Sequence, residues 1–224
     1  MAIRRMTTIA TLLLVAPFAI CQGRSAGDVP GPQSSPPGAQ SMAGQPIPTE
    51  EQQIAAATLP LPEAFRAEAT VQSISADLRI TPLRKGTSSM VCSIIQPGSK
   101  NFLAYCLDRV LEQYAYRQTQ LQRELRRDGK PPSGAELKAA LQKEIESGRI
   151  TPLTRPSVGF MMGGPAKAFD WSTNTASGEI KRWETIQIPN ATGASLSLPN
   201  SRPANGGPWV MAEGTPGAHI MIEH

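Results

Sequence analysis

Between residues 103 and 127 the apolar side chains Leu103, Leu107, Val110, Leu111, Tyr114, Leu121 and Leu125 recur at short, helix-compatible separations. That period gathers them on one face of a predicted α-helix, with Arg109, Glu112, Arg123, Glu124 and Arg126 mostly on the other. The run 128–132, Asp-Gly-Lys-Pro-Pro, stops the helix, since proline cannot continue it. Ser133 followed by Glu136 is a capping box, and Leu137, Leu141 and Ile145 make a second stripe that Gly148 ends. The two helices are expected to form a hairpin over residues 103–149. Each has one apolar face, so the hairpin needs another element to cover it.

The flanking sequence supplies a sheet. Residues 71–74, 78–83 and 90–95 are short apolar runs punctuated by polar and glycine turns. Residues 150–224 lose the helical period; candidate strands are 157–162, 184–188, 194–198, 209–212 and 219–223, separated by Gly, Pro and Asn clusters. Ahead of these, Thr49 and Gln52 form another capping box, predicting a helix over 50–58 that Pro60 and Pro62 stop. The expected class is α+β, a mostly antiparallel sheet with the helical hairpin packed on one side. We expect a single domain over 49–224, with 103–149 the hairpin and 150–224 mainly β.

What precedes residue 49 reads as an address and a spacer. Arg4 and Arg5 lead into the apolar run 9–20, and small residues follow at Gly23 and Ala26. That is the pattern of a secretory signal peptide over 1–26, too short for a membrane span of roughly 20 residues. Ile20 before Cys21 disfavours a lipoprotein, since a lipidated cysteine follows a small residue. Residues 27–48 include six Pro and four Gly and read as a disordered spacer. The formal charge of +4 includes Arg4, Arg5 and Arg24, so the remainder carries about +1. The basic character therefore belongs mostly to the leader and gives no ground for nucleic-acid binding. The 107–149 helices mix nine basic with seven acidic residues, which is a solvated surface rather than a phosphate-binding stripe. An exported, periplasmic or secreted protein follows, with no transmembrane segment in the mature chain. Of three cysteines, Cys21 lies in the leader; Cys92 and Cys106 remain and are expected to form a disulfide.

Motifs that carry chemistry are sparse. No dinucleotide or phosphate-binding glycine motif occurs, and no zinc-protease or serine-elbow motif. No cofactor is implied. His224 is terminal, leaving His219 as the better-placed of only two imidazoles. His219 and Glu223 share a strand face but lie about 13 Å apart at roughly 3.3 Å per residue, so no metal site is assigned. Residues 206–222 read strand, turn, strand, so Trp209 and His219 flank the loop 214–217. The arrangement fits either a small pocket or a hairpin with a structural histidine. The loop Phe169-Asp170-Trp171-Ser172-Thr173-Asn174 suits a polar ligand through Asp170 and Asn174, or is a turn stabilised by those side chains.

The order of motifs resembles a family of uncharacterised exported bacterial proteins. The shared elements are Leu83-Arg84-Lys85-Gly86-Thr87, Val91-Cys92, Cys106-Leu107-Asp108, a segment like 159–164, and the ending 206–221. That ending carries the Gly-Gly-Pro-Trp-Val…Gly-Thr-Pro-x-Ala-His-Ile-Met signature. Here the charged helix of about 118–149 is an insertion, and Arg182-Trp183-Glu184-Thr185-Ile186 lacks a histidine that the family has in the matching strand. The resemblance implies export and draws attention to Asp108, Thr215 and His219, without implying a reaction.

Two classes of function follow. One is a non-enzymatic domain binding a small molecule or an envelope component, with Trp209, His219, Asp170 and Asn174 as candidate contacts. The other is a hydrolase- or isomerase-type enzyme using His219 as acid or base beside Asp108 or Thr215. A third reading makes the 107–149 helices a protein-interaction module.

Overall fold

A computed structural model describes residues 47–204 and 206–224. The leader, Cys21 and nearly all of the proposed spacer lie outside the described residues. Ile47 and Pro48 belong to the described part: Pro48 is buried, and its carbonyl accepts from Gln53 Nε2 at 2.8 Å.

Helix α1, Glu50–Thr58, begins at the capping box of Thr49 and Gln52, as its sequence dictates. A single turn, α2, covers Glu63–Arg66. Strands β1 (Thr70–Ile74), β2 (Ile80–Arg84), β3 (Met90–Ile95) and β4 (Asn101–Asp108) follow. Then come α3 (Arg109–Glu124) and α4 (Gly134–Glu146), which form the helical hairpin. The second half comprises β5 (Ser157–Pro165), the small ribbon β6 (Phe169–Asp170) and β7 (Thr175–Ala176), β8 (Lys181–Gln187), the turn of helix α5 (Gly193–Leu196), β9 (Trp209–Met211) and β10 (His219–Glu223). Eight strands make one sheet in the order β2-β1-β3-β4-β5-β8-β10-β9. Every pairing in it is antiparallel except β1 with β3. The fold is α+β.

The parallel pair exists because the chain crosses the start of β1 on its way from β2 to β3. The amides of Thr87 and Ser88 both bond the Glu68 carbonyl, at 2.9 and 3.0 Å. A Cβ on Gly86 would stand 2.3 Å from the backbone of residues 68–70, so only glycine permits this crossing.

The sheet separates two cores. On one face Val71, Cys92, Ile94, Phe102, Ala104, Cys106 and Met162 pack under α1. On the other, Ile74, Tyr105 and Leu107 meet Leu111, Tyr114, Leu121 and Leu141 of the hairpin. The hairpin thus packs on one side as expected, while α1 covers the opposite side. Cys92 and Cys106 are register partners on β3 and β4 and are joined as a disulfide in the α1 core.

Two expected elements differ. The helix predicted from residue 103 begins at Arg109, because 101–108 is the central strand β4. Leu103 and Leu107 are four apart, a spacing that shares a face in a strand as well as in a helix. A strand buried on both faces shows no alternation that would betray it. Asp108 marks the change: its Oδ1 accepts from the Val110 amide at 3.1 Å and caps α3. The strand predicted over 194–198 is instead α5, nucleated by a capping box of Thr192 and Ser195.

The hairpin is tied internally and to the sheet. Arg117 bridges Glu124 on its own helix at 2.7 Å and Glu144 on α4 at 3.0 Å, and Arg149 reaches the same Glu144 oxygen at 3.0 Å. The Tyr116 hydroxyl donates to the Leu78 carbonyl at 2.5 Å, anchoring α3 beside β2. At the other end, Lys138 of α4 donates to the Gly214 carbonyl at 3.3 Å, spanning to the β9–β10 loop.

Candidate functional site

The hairpin covers the β1–β3–β4 half of its sheet face closely and stands off from the β5–β8–β10 half. The gap is a cleft of about 460 Å³. Its size is that of a site for a small organic molecule.

Strand register builds the floor. One lateral row runs Leu107, Gly159, Thr185, Met221 and Trp209 across β4, β5, β8, β10 and β9. The next row runs Ser157, Gln187, His219 and Met211. Side chains within a row point to the same face. Leu111 and Tyr114 of α3 and Leu137, Leu141 and Ile145 of α4 close the cleft from above, and Thr215, Pro216 and Gly217 form one end. The lining is mainly apolar, with Gln118, Gln142 and Thr185 as polar residues away from that end.

There the polar groups gather around one turn. The Ala218 amide bonds the Thr215 carbonyl at 3.0 Å, closing the turn that leads into β10. His219 Nδ1 donates to the Gly217 carbonyl at 2.8 Å. The Gln187 side chain, oriented with its NH₂ toward the turn, donates to the Gly217 and Ala218 carbonyls, both at 3.3 Å. Gly217 also makes room for Tyr114: a Cβ there would lie 3.0 Å from Tyr114 Cε1 and 3.2 Å from its hydroxyl. The ring of α3 is thereby seated against the turn that orients the imidazole.

Burial sets the protonation states. It pushes the His219 imidazole below its ordinary value, outweighing the hydrogen bond to Gly217 that raises it. The ring is therefore neutral at neutral pH, with its proton on Nδ1 and a lone pair on Nε2. Burial likewise pushes the Tyr114 hydroxyl up to about 12, so it stays protonated. Neither His219 Nε2 nor the Tyr114 hydroxyl has a hydrogen-bond partner among the described residues. The Thr185 Oγ1 is closed off from solvent and also lacks one.

The structure sorts the residues singled out from sequence. His219 and Thr215 both line the cleft. Thr215 Oγ1 donates to the Ala212 carbonyl at 2.6 Å, so its hydroxyl is engaged in the turn. Trp209 pairs with Met221 rather than with His219; it is buried at the end of its row and does not line the cleft. Its indole Nε1 has no partner among the described residues. Asp108 is the α3 cap and an ion-pair partner of Arg155 at 3.3 Å, outside the cleft.

Asp170 and Asn174 belong to the β6–β7 ribbon. Phe169 stacks there on Phe102 at 4.0 Å, in the core on the far side of the sheet. Asp170 Oδ1 accepts from the Ser172 amide at 2.8 Å and its hydroxyl at 2.6 Å, and these bonds hold the carboxyl below its usual range. For Asp170 that is the local turn the sequence allowed as one of two readings; Asn174 Oδ1, by contrast, is sealed from solvent with no hydrogen-bond partner among the described residues. Among the described residues no group of three or more His, Cys, Asp and Glu is placed to hold a metal ion.

Tyr114, Gln187 and Thr185 were not singled out in the sequence. Tyr114 reads there only as one more residue of an apolar helix stripe. Gln187 and Thr185 become neighbours of His219 and Met221 only through strand register.

Fold and cleft together define an α+β domain with a small-molecule-sized cleft under a helical hairpin. No protein-family model matches the chain, and no curated protein or solved structure matches it.

Proposed function

We propose that this is an exported domain that binds a small, largely apolar molecule in the cleft between the hairpin and the sheet. The observation that carries the reading is the cleft of about 460 Å³, walled mainly by apolar side chains, with His219 and Tyr114 bringing polar atoms to one end. A mainly apolar cleft of this size with a few polar groups has the form of a small-molecule site. The leader-like residues 1–26 and the Cys92–Cys106 bridge support placement in an oxidising compartment outside the cytoplasm.

One observation favours the enzyme reading: the neutral His219 lines the cleft and its Nε2 has no hydrogen-bond partner among the described residues. The partners proposed for it are engaged elsewhere, Asp108 with Val110 and Arg155, and Thr215 with Ala212. The binding reading therefore has the better support. An interaction role for the 107–149 helices has less, because their apolar stripes face the core and cleft and Arg117, Glu124, Glu144 and Arg149 pair with one another.

The test is a thermal-shift screen of neutral lipophilic compounds on the purified protein and on Ala135→Trp. Ala135 lines the mouth of the cleft on the exposed side of α4, so a large ring there obstructs entry without entering the core. Compounds that raise the wild-type midpoint are expected to shift the variant less. Equal shifts in both proteins, or no shift in the wild type, refute the reading.

A further inference from the structure

We propose that the cleft selects an uncharged molecule with a hydroxyl group at one end of an apolar body. The inference rests on the cleft being a binding site and specifies what it recognises. Two atoms at its polar end carry it. His219 Nε2 is an acceptor, because Nδ1 holds the ring proton against the Gly217 carbonyl. The Tyr114 hydroxyl can donate, and it is seated against the same Gly217. A ligand hydroxyl donates to the first and accepts from the second, so one group satisfies both. A carboxylate offers no proton to His219 Nε2 and would lose its hydration inside an apolar wall. A hydrocarbon leaves both protein atoms unpaired.

The turn that organises this end is itself held on three sides. Gln187 reaches the carbonyls of Gly217 and Ala218 from β8, His219 bonds Gly217 from β10, and Lys138 bonds Gly214 from α4. Preorganisation of this kind keeps the acceptor aimed before a ligand arrives.

The experiment is calorimetric titration with three probes of one shape: 4-butyltoluene, 4-butylbenzyl alcohol and 4-butylbenzoate. On the wild type at neutral pH, the alcohol is expected to bind about tenfold more tightly than the hydrocarbon, the scale of one or two neutral hydrogen bonds. The carboxylate is expected to bind most weakly. Tyr114→Phe keeps the ring and its packing, and His219→Phe removes the acceptor; each is expected to cut the alcohol-to-hydrocarbon ratio by about threefold or more while the hydrocarbon still binds.

Acidification is an independent readout on the unaltered protein. As the pH falls from neutral through the lowered range of the buried imidazole, protonation of His219 is expected to erode the preference for the alcohol and leave hydrocarbon binding unchanged. The other titratable groups facing the cleft are Tyr105, Tyr114, Lys138 and Glu213. Lys138→Met and Glu213→Gln are expected to keep the pH response, which assigns it to His219.

A ratio near one in the wild type, a ratio unchanged in both Phe variants, or a carboxylate that binds as tightly as the alcohol overturns the hydroxyl assignment alone. Absence of binding by all three probes overturns the cleft as a binding site and this inference with it.

Discussion

Replacing Thr185 by valine is expected to stabilise the protein by about 1 kcal/mol. Thr185 is 3% exposed, and its Oγ1 is sealed from solvent with no hydrogen-bond partner among the described residues. A hydroxyl buried in that state costs about 1–3 kcal/mol relative to one that is bonded or hydrated. Valine keeps the branched shape, the restricted χ1 and the preference for a strand. The new methyl is larger than the oxygen it replaces, and that offsets part of the gain. Oγ1 already packs over Gly159, where a Cβ would lie 2.5 Å from it, so the methyl's added volume is the main offset. The net is about 1 kcal/mol, which for a domain of this size corresponds to a rise of about 2–4 °C in the melting midpoint. Urea unfolding measures it directly, as a higher midpoint with an unchanged slope. Thr185→Ser serves as the control; it keeps the hydroxyl, deletes a methyl and is expected to destabilise by about 1 kcal/mol. A Thr185→Val protein that is less stable than wild type refutes the reasoning, since it means the hydroxyl is bonded in the folded state.

Two further outcomes follow from the cores. The Cys92–Cys106 bridge spans a separation of 14 residues, and closure of a loop of about that length is worth roughly 3 kcal/mol. The double change Cys92→Ala/Cys106→Ala is expected to lower the urea midpoint accordingly and to abolish any effect of reductant; equal midpoints with and without reductant in the wild type contradict this. Glu112 on α3 is buried and accepts from Gln72 Nε2 at 2.8 Å, and desolvation raises its carboxyl above the ordinary value. Folding therefore tightens its proton, so this residue's contribution falls as pH rises from the unfolded carboxylate value through the raised one. Glu112→Gln keeps an acceptor for Gln72 and is expected to be more stable than wild type at about pH 8, with the gain vanishing near pH 4. A difference that stays flat with pH disproves that account.

Local chemistry was legible where it is self-contained. The capping boxes at Thr49 and Ser133 mark the starts of α1 and α4, and strand β10 falls at the apolar run 219–223 beyond the last Gly-Pro turn. The α+β class followed from the change of period along the chain. The errors arose where two structures share one pattern. Leu103 and Leu107 fit a helix face and a strand face equally, and β4 is apolar on both sides, so its boundary with α3 was hidden until Asp108 could be seen capping. The ribbon offered two readings, and the Ser172 hydrogen bonds place Asp170 in a local turn, while Asn174 Oδ1 finds no partner there.

The candidate site was visible only in fragments. His219 stood out because imidazoles are rare in this chain, and Thr215 through the resemblance of the C-terminal segment. Their neighbours in space come from distant sequence. Tyr114 is brought by packing α3 on the sheet, and Gln187 and Thr185 by antiparallel register between β8 and β10. Register has no local signature, because it is set by the whole set of pairings across a sheet.

By itself the sequence determined a leader-like start, a nearly neutral remainder, a cysteine pair and a mixed content of helices and strands. Those properties depend on composition and on periods of two to four residues. The tertiary structure decided that the hairpin and α1 take opposite faces, that Trp209 and Asp108 lie outside the cleft that His219 lines, and that a cleft opens where the hairpin leaves the sheet. These depend on which strand lies beside which, and on a sheet wider than the helices that cover it.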